Sequence, residues 1–449
     1  MDDVSTTIGT RASQTGAFAR VIARAARLLA RGVFRSVEID NPEPGWSHGP
    51  AIIVANHPTG FSDPALLLGL LESSPRFLAK STLWKTPGLG WFLDRIGTIP
   101  VYRAQDGSTA GHAQMFSAAI RALAGGANIA IFPEGGANPA PSLAPIKTGA
   151  ARLALGARAE GVCGLRLVPV GIHYEDEAGI RTRAYVHVGD VLDVDSELGM
   201  MGVAPKADAE DHEAVRRLTA QIEHRLRRSA PDYGSDNEAS RLVFASEVAL
   251  RDAGRFRVSF ADRQRIATEL AQVKPDVRSV VGGEVDRYRD LLDHSGVSDG
   301  DVMLAQGAAG LGLRLALLSV ALVVLAPLVL AGTLLNLVPA GALFAAARYR
   351  HGTMTPATVR LFSAIVLFLF TWLWWAGLAW ILWDWRLALV VVIACPLDGA
   401  VAVGVLDRVA DLLEMWRGKR KAQRLGSEVE PLLAARGEVV TAVERALQS

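Results

Sequence analysis

The chain has 449 residues, with 47 lysines and arginines against 46 aspartates and glutamates and a formal net charge of +1. Two cysteines, Cys163 and Cys395, exclude a disulfide framework or a zinc site and fit a reducing setting. No nucleic-acid partner is expected, and the length leaves room for a soluble domain of ordinary size plus a second region.

The near-neutral total hides an internal split. Residues 1–310 read as a charged, globular chain, whereas 315–406 is dominated by Leu, Val, Ala and Trp, and seven of the ten tryptophans lie between Trp372 and Trp416. Residues 1–38 show no uninterrupted apolar core before a small-residue cleavage site, so a signal peptide is not expected. Arg20, Arg24, Arg27 and Arg31 instead fall on one helical stripe, with Phe18, Val21, Ile22, Ala25, Leu28 and Leu29 on the other side. This is a basic amphipathic helix suited to an anionic membrane surface. The alternative is a helix packed on the domain with its arginines in water.

Residues 39–205 alternate short apolar runs with helical stretches. Ala51–Ala55 reads as a buried strand, followed by NHPTGFSD and the helical PALLLGLLE, which Ser62 or Asp63 is expected to cap. Arg76–Lys80 and Thr98–Val101 are further strands, His112–Ala124 a helix, and Asn128–Phe132 a buried strand running into PEGG. Lys147–Ala159 is helical, Leu165–Tyr174 a strand, and Ala184–Val194 one or two more. The pattern predicts an α/β domain with a mainly parallel sheet and flanking helices, its reactive groups where strands end and loops begin.

Residues 206–310 are charged and predicted helical, a separate subdomain without a nameable motif. Residues 311–410 form the membrane segment. Leu361–Trp383 and Leu387–Leu406 are each long enough to span a bilayer, joined by the polar, aromatic Asp384, Trp385 and Arg386. Residues 315–347 contain Pro327, Asn336 and Pro339 and are expected to form a broken or re-entrant hairpin. That arrangement keeps Arg314, Arg348, Arg350 and the basic tail, residues 411–449, on one side, and places the α/β domain on the cytoplasmic face. Ser427–Leu447 is expected to be a surface helix. GAAGLG at 307–312 is discounted as a nucleotide loop because no strand precedes it.

Two short stretches carry chemistry. In Asn56-His57-Pro58-Thr59-Gly60-Phe61-Ser62-Asp63, a histidine ends a buried strand and a carboxylate starts the next helix. The carboxylate can hold one ring nitrogen and stabilise an imidazolium, leaving the other nitrogen to remove a proton from an alcohol. The plainer alternative is a capping aspartate beside a polar loop histidine. In Phe132-Pro133-Glu134-Gly135-Gly136, an acid at a strand's end is followed by exposed backbone N–H groups suited to hydroxyls or an anion.

Taken together with Ile99-Pro100-Val101-Tyr102-Arg103 and Val168-Pro169-Val170, in that order, these stretches resemble the four-block signature of the glycerolipid acyltransferases. The resemblance covers about residues 20–200 and looks closest to the branch acting on glycerol-3-phosphate or dihydroxyacetone phosphate. It implies that His57 deprotonates the acceptor hydroxyl and Asp63 orients His57. Arg103 would hold the acceptor phosphate, a task suited to a guanidinium fork. Glu134 and Gly135 would bind the acceptor, and Pro169 would lie on the acyl-donor side; Lys147 is either a further phosphate contact or a surface lysine at a helix start. Gly136, Ala137 and Asn138 depart from the Thr/Ser and Arg that many relatives carry there. The expected reaction is direct transfer from acyl-CoA or an acyl carrier protein to glycerol-3-phosphate, without metal or cofactor, by an integral membrane protein. Lysophosphatidic acid as acceptor, and a non-catalytic lipid-binding role, are the alternatives.

Overall fold

The computed structural model describes residues 15–40, 49–71, 74–102, 110–177, 179, 181–204, 207–251, 258–306, 311–346 and 356–449. It divides into two compact units, residues 1–234 and 235–449. The boundary lies later than the composition suggests.

In the first unit the strands are β1 (Ser36–Asp40), β2 (Ala51–Ala55), β3 (Arg76–Lys80), β4 (Ile99–Val101), β5 (Ile129–Ile131), β6 (Arg166–Tyr174), β7 (Arg183–Val188) and β8 (Leu192–Asp193). The helices are α1 (Thr15–Val33), α2 (Ser62–Leu70), α3 (Leu89–Arg95), α4 (Ala110–Ala124), α5 (Gly149–Ala159), α6 (Val194–Met200) and α7 (His212–Ser229). The sheet order is β1-β7-β6-β2-β5-β3-β4, with β8 pairing β6. All pairs are parallel except β6–β7 and β6–β8, so the mainly parallel α/β architecture is as expected from the sequence.

The central strand β2 is apolar throughout because both faces are covered. Side chains alternate between faces. Ile52 and Val54 pack with Ala119 and Leu123 of α4, Leu153 of α5 and Leu218, Ile222 and Leu226 of α7. Ala51, Ile53 and Ala55 pack with Ala30 of α1 and Leu66 and Leu67 of α2. Helix α7 therefore completes the sheet's core rather than opening a separate helical subdomain at 206. Its charged residues occupy the other face of an amphipathic helix, which a compositional boundary cannot separate from a domain boundary. Helix α1 is pinned to this unit: Arg27 Nε donates to Gly69 O at 2.8 Å, and Arg181, at φ 58, donates to the Arg31, Gly32 and Phe34 carbonyls that end the helix. Arg24, Arg27 and Arg31 stay exposed beside exposed Val21 and Leu28.

The second unit holds α8 (Asp236–Leu250), α9 (Phe260–Gln272), α10 (Pro275–Ser295), α11 (Asp299–Gln306), α12 (Leu311–Ala346), α13 (Pro356–Leu382), α14 (Trp385–Leu425) and α15 (Val429–Gln448). Ser235 and Ser259 cap α8 and α9 through their hydroxyls, and Gly296 in the left-handed region ends α10. Helix α15 is not a surface helix. Leu432, Ala435, Val439, Val443 and Ala446 are buried along one face, and Arg436 donates to Asp299 at 3.0 Å.

Among the described residues three helices are long and apolar enough to cross a membrane: Ser319–Leu343 within α12, Phe362–Leu382 within α13, and α14. The expected broken hairpin at 315–347 is absent from the described residues; α12 runs continuously through Pro327 and Pro339. Pro339 has no N–H, so the Leu335 carbonyl one turn earlier loses its helical donor. Trp375 Nε1 of α13 donates to that carbonyl at 3.2 Å, a cross-helix repair that the sequence around Pro339 does not announce. Asn336 adds a second bridge, accepting from Trp372 Nε1 at 2.9 Å and donating to Gly332 O. Lys421 of α14 donates to Gly296 O beside α11 at 3.2 Å. The basic tail thus returns to the end of the apolar helices from which α12 departs. Arg348 and Arg350 lie outside the described residues.

Candidate active site

The site forms where β2 ends. Past the pairing of Ala55 with Val170, Asn56 continues the ladder with its side chain, donating to Ile172 O at 3.0 Å and accepting from Ile172 N at 2.7 Å. This fixes the chain direction into His57. The His57 backbone is gripped twice more: its N–H donates to Glu134 Oε1 at 2.8 Å, and its carbonyl accepts from Asn138 N at 2.8 Å. The imidazole stacks on Phe132 with centroids 4.1 Å apart and planes 16° apart.

Nδ1 of His57 lies 2.8 Å from Asp63 Oδ2, with side-chain exposures of 17% and 0%. An ionised carboxylate only accepts, so facing one Nδ1 is a donor, and in the neutral ring Nε2 is then the nitrogen with the lone pair. The expectation that Ser62 or Asp63 caps α2 fails, because the helix has no side-chain cap and both residues lie within its first turn. The Asp63 carboxylate turns back onto the loop instead. Oδ2 also accepts from Thr59 N at 3.0 Å and Gly60 N at 3.1 Å. Oδ1 accepts from Thr59 Oγ1 at 2.5 Å and Tyr174 Oη at 2.8 Å. Gly60 adopts φ 88, the left-handed conformation that lets its N–H point back at the acid. Burial above all, with the negative charge of Asp63 adding to it, holds the Tyr174 phenol well above the usual tyrosine range, so it stays a donor.

Both oxygens of Glu134 take donors from within the protein. Oε1 takes the His57 N–H, and Oε2 takes Asn138 Nδ2 at 2.8 Å and Ala144 N at 3.1 Å. Its carboxylate is buried and committed to joining the loop after β5 to the His57 loop. Asn138, the departure from the relatives' pattern, completes that junction by donating also to Ser142 O at 2.9 Å. Gly135, at φ 78, leaves the space that the Lys147 ammonium occupies; a Cβ there would collide with Nζ. Pro169 pairs with Val54 across the sheet and is buried, lining a small cavity with Leu167, Leu192, Ile222 and Arg225. Arg103 lies outside the described residues, two positions beyond β4. His173 is buried and its Nε2 lies 2.9 Å from Ser229 O. Among the described residues no cluster of His, Cys, Asp and Glu has the arrangement of a metal site.

Sequence reasoning missed Thr59, Tyr174, Asn138 and Phe132 as parts of the site. Thr59 sits inside the NHPTG run and Tyr174 at the end of a strand, but only the fold brings Tyr174 to an acid 111 residues away.

A family model for acyltransferases matches residues 36–173. Glycerol-3-phosphate O-acyltransferase 2 of Saccharomyces cerevisiae is 32% identical over 184 residues, covering 39% of this chain and 23% of that protein. Glycerol-3-phosphate O-acyltransferase 1 of the same yeast is 38% identical over 71 residues, 16% of this chain and 9% of that protein. The matched segment thus spans less than a quarter of either yeast relative. The crystal structure of the 1-acyl-sn-glycerophosphate (LPA) acyltransferase from Thermotoga maritima aligns at 20% identity over 46% of this chain and 78% of that one, with a TM-score of 0.33. The segment at 36–173, which holds both His57 and Glu134, is thus similar to acyltransferases of the glycerolipid type.

Proposed function

We propose that the chain transfers a fatty acyl group from a thioester to a hydroxyl of glycerol-3-phosphate. The observation that carries this reading is the His57–Asp63 pair, a 2.8 Å contact that leaves Nε2 of a partly exposed ring at the end of a parallel strand. Nε2 accepts the acceptor's hydroxyl proton as the oxygen attacks the thioester carbonyl. The C–S bond then breaks, and the departing thiolate takes the proton from His57. The Asp63 carboxylate stabilises the imidazolium formed in between and stays unprotonated.

Glu134 fits a positioning role better than acceptor binding, since its oxygens already hold His57, Asn138 and Ala144. The Lys147 ammonium beside Gly135 and the guanidinium of Arg103 are assigned to the acceptor phosphate. The names of the two yeast relatives favour glycerol-3-phosphate as acceptor. Three apolar helices suit a substrate and product that partition into lipid, with the α/β unit on the cytoplasmic face. The test is an acceptor panel on purified membranes. Labelled glycerol-3-phosphate, dihydroxyacetone phosphate and lysophosphatidic acid are each offered with palmitoyl-CoA, and products are read by mass spectrometry. Acylation of glycerol-3-phosphate is expected; turnover of lysophosphatidic acid alone would replace the acceptor, and no transfer to any of them would remove the function.

A further inference from the structure

The two oxygens of Asp63 are not equivalent. Oδ2 takes the His57 ring and two backbone N–H groups, which no side-chain substitution removes. Oδ1 depends on two hydroxyls, one from Thr59 and one from Tyr174 on β6. Rotation about the terminal bond of an aspartate is soft, so its carboxylate plane is fixed by donors rather than by the torsion itself. In a fully buried position an oxygen without donors is costly and turns in search of one. Turning Oδ1 carries Oδ2 with it, and Oδ2 sets the plane of the imidazole. Tyr174 is itself held, stacked on Phe34 with centroids 5.6 Å apart and planes 26° apart.

We propose that the Tyr174 and Thr59 hydroxyls are positioning groups for acyl transfer: they lock the Asp63 carboxylate so that His57 presents Nε2 to the acceptor. This rests on His57 being the base. The phenol held protonated by burial and by Asp63 is consistent with a permanent donor. Both hydroxyls donate to the buried Asp63 carboxylate, so their loss is expected to act on turnover rather than on binding.

The test uses the full chain in membranes with glycerol-3-phosphate and palmitoyl-CoA, comparing Tyr174→Phe, Thr59→Val, their combination, and Thr59→Ser, which keeps the hydroxyl. A lost hydrogen bond to a charged group corresponds to a fall in kcat of about tenfold for each single variant and about a hundredfold for the pair. Both KM values are expected to stay within about twofold of wild type, as for an interaction needed only during turnover. Thr59→Ser is expected to restore most of what Thr59→Val loses. Wild-type kcat per folded molecule in Tyr174→Phe and Thr59→Val, or equal loss in Thr59→Ser and Thr59→Val, overturns the proposal. If Tyr174→Phe does not fold, the Thr59 pair decides alone. His57→Ala in the same series separates the two levels: transfer retained there removes the base itself, whereas an inactive His57→Ala beside unimpaired hydroxyl variants removes only the positioning claim.

Discussion

Each unit contains a buried aspartate surrounded by donors, and the two are built for opposite ends. Asp63 accepts from His57, Thr59, Gly60 and Tyr174, with no lysine or arginine among its partners in the described residues. Asp299, at 2% side-chain exposure, accepts from Tyr288 at 2.9 Å, Arg251 at 2.7 Å and Arg436 at 3.0 Å. The charge of Asp299 is compensated on the spot, and Arg436 goes on to donate to Val248 O and Arg251 O, tying α15 to α8. The charge of Asp63 is solvated by neutral dipoles and remains available to a cation that forms on the neighbouring ring. Among the described residues, a buried carboxylate without a resident cation, next to a partly exposed histidine, is what sets the proposed catalytic partner apart from the structural acid.

That contrast breaks most sharply at Asp299. Asp299→Ala strands two guanidinium groups and a phenol, and its expected cost is about 3–5 kcal/mol. Calorimetry should show a lower melting temperature for the helical unit, while acyl transfer per folded chain is retained; an unchanged melting temperature would mean the cluster is solvated rather than structural. Both aspartates also hold a tyrosine whose ionisation is pushed up, Tyr174 by burial and then Asp63, Tyr288 by burial and then Asp299. A raised value means the native state keeps its proton when the unfolded chain gives it up. The stabilisation is thus complete below about pH 10, the value of a free tyrosine, and lost as pH rises toward the folded values. Tyr288→Phe should flatten the alkaline fall in melting temperature, and a fall identical to wild type would contradict the assignment.

Smaller effects sharpen the comparison. Lys147→Ala should raise the KM for glycerol-3-phosphate about five- to tenfold, from loss of one charged contact, with kcat and the acyl-CoA KM little changed. An acceptor KM equal to wild type would leave the phosphate to Arg103. Trp375→Phe removes the donor to the carbonyl that Pro339 orphans, and should destabilise the apolar helices by about 0.6–1 kcal/mol. Denaturant titration in detergent micelles measures it, and a neutral result would assign the repair to packing.

Local pattern went far in the α/β unit. AIIVA announces a strand buried on both faces, and His57 with Asp63 stands out because strand end and helix start are both written in neighbouring residues. Long-range partners were not legible: Tyr174 is an ordinary strand residue until β6 pairs with β2, and Glu134 reads as an exposed acid until Asn138 and Ala144 close on it. In the second unit the prolines of α12 signal a break because propensity counts the missing N–H, not the indole that replaces it from α13. The tail helix α15 reads as surface because Leu432, Ala435 and Val439 are spaced among charges, and Arg436 finds its partner only across the unit.

The most direct test of His57 as proton acceptor is His57→Ala, which leaves Asp63 its four other hydrogen bonds and so spares the fold. Transfer from palmitoyl-CoA to labelled glycerol-3-phosphate and the melting temperature are measured on one preparation beside wild type. The expected result is a fall in kcat of about 10²–10⁴ with melting within a few degrees of wild type. Transfer at the wild-type rate by a folded His57→Ala chain would contradict the mechanism.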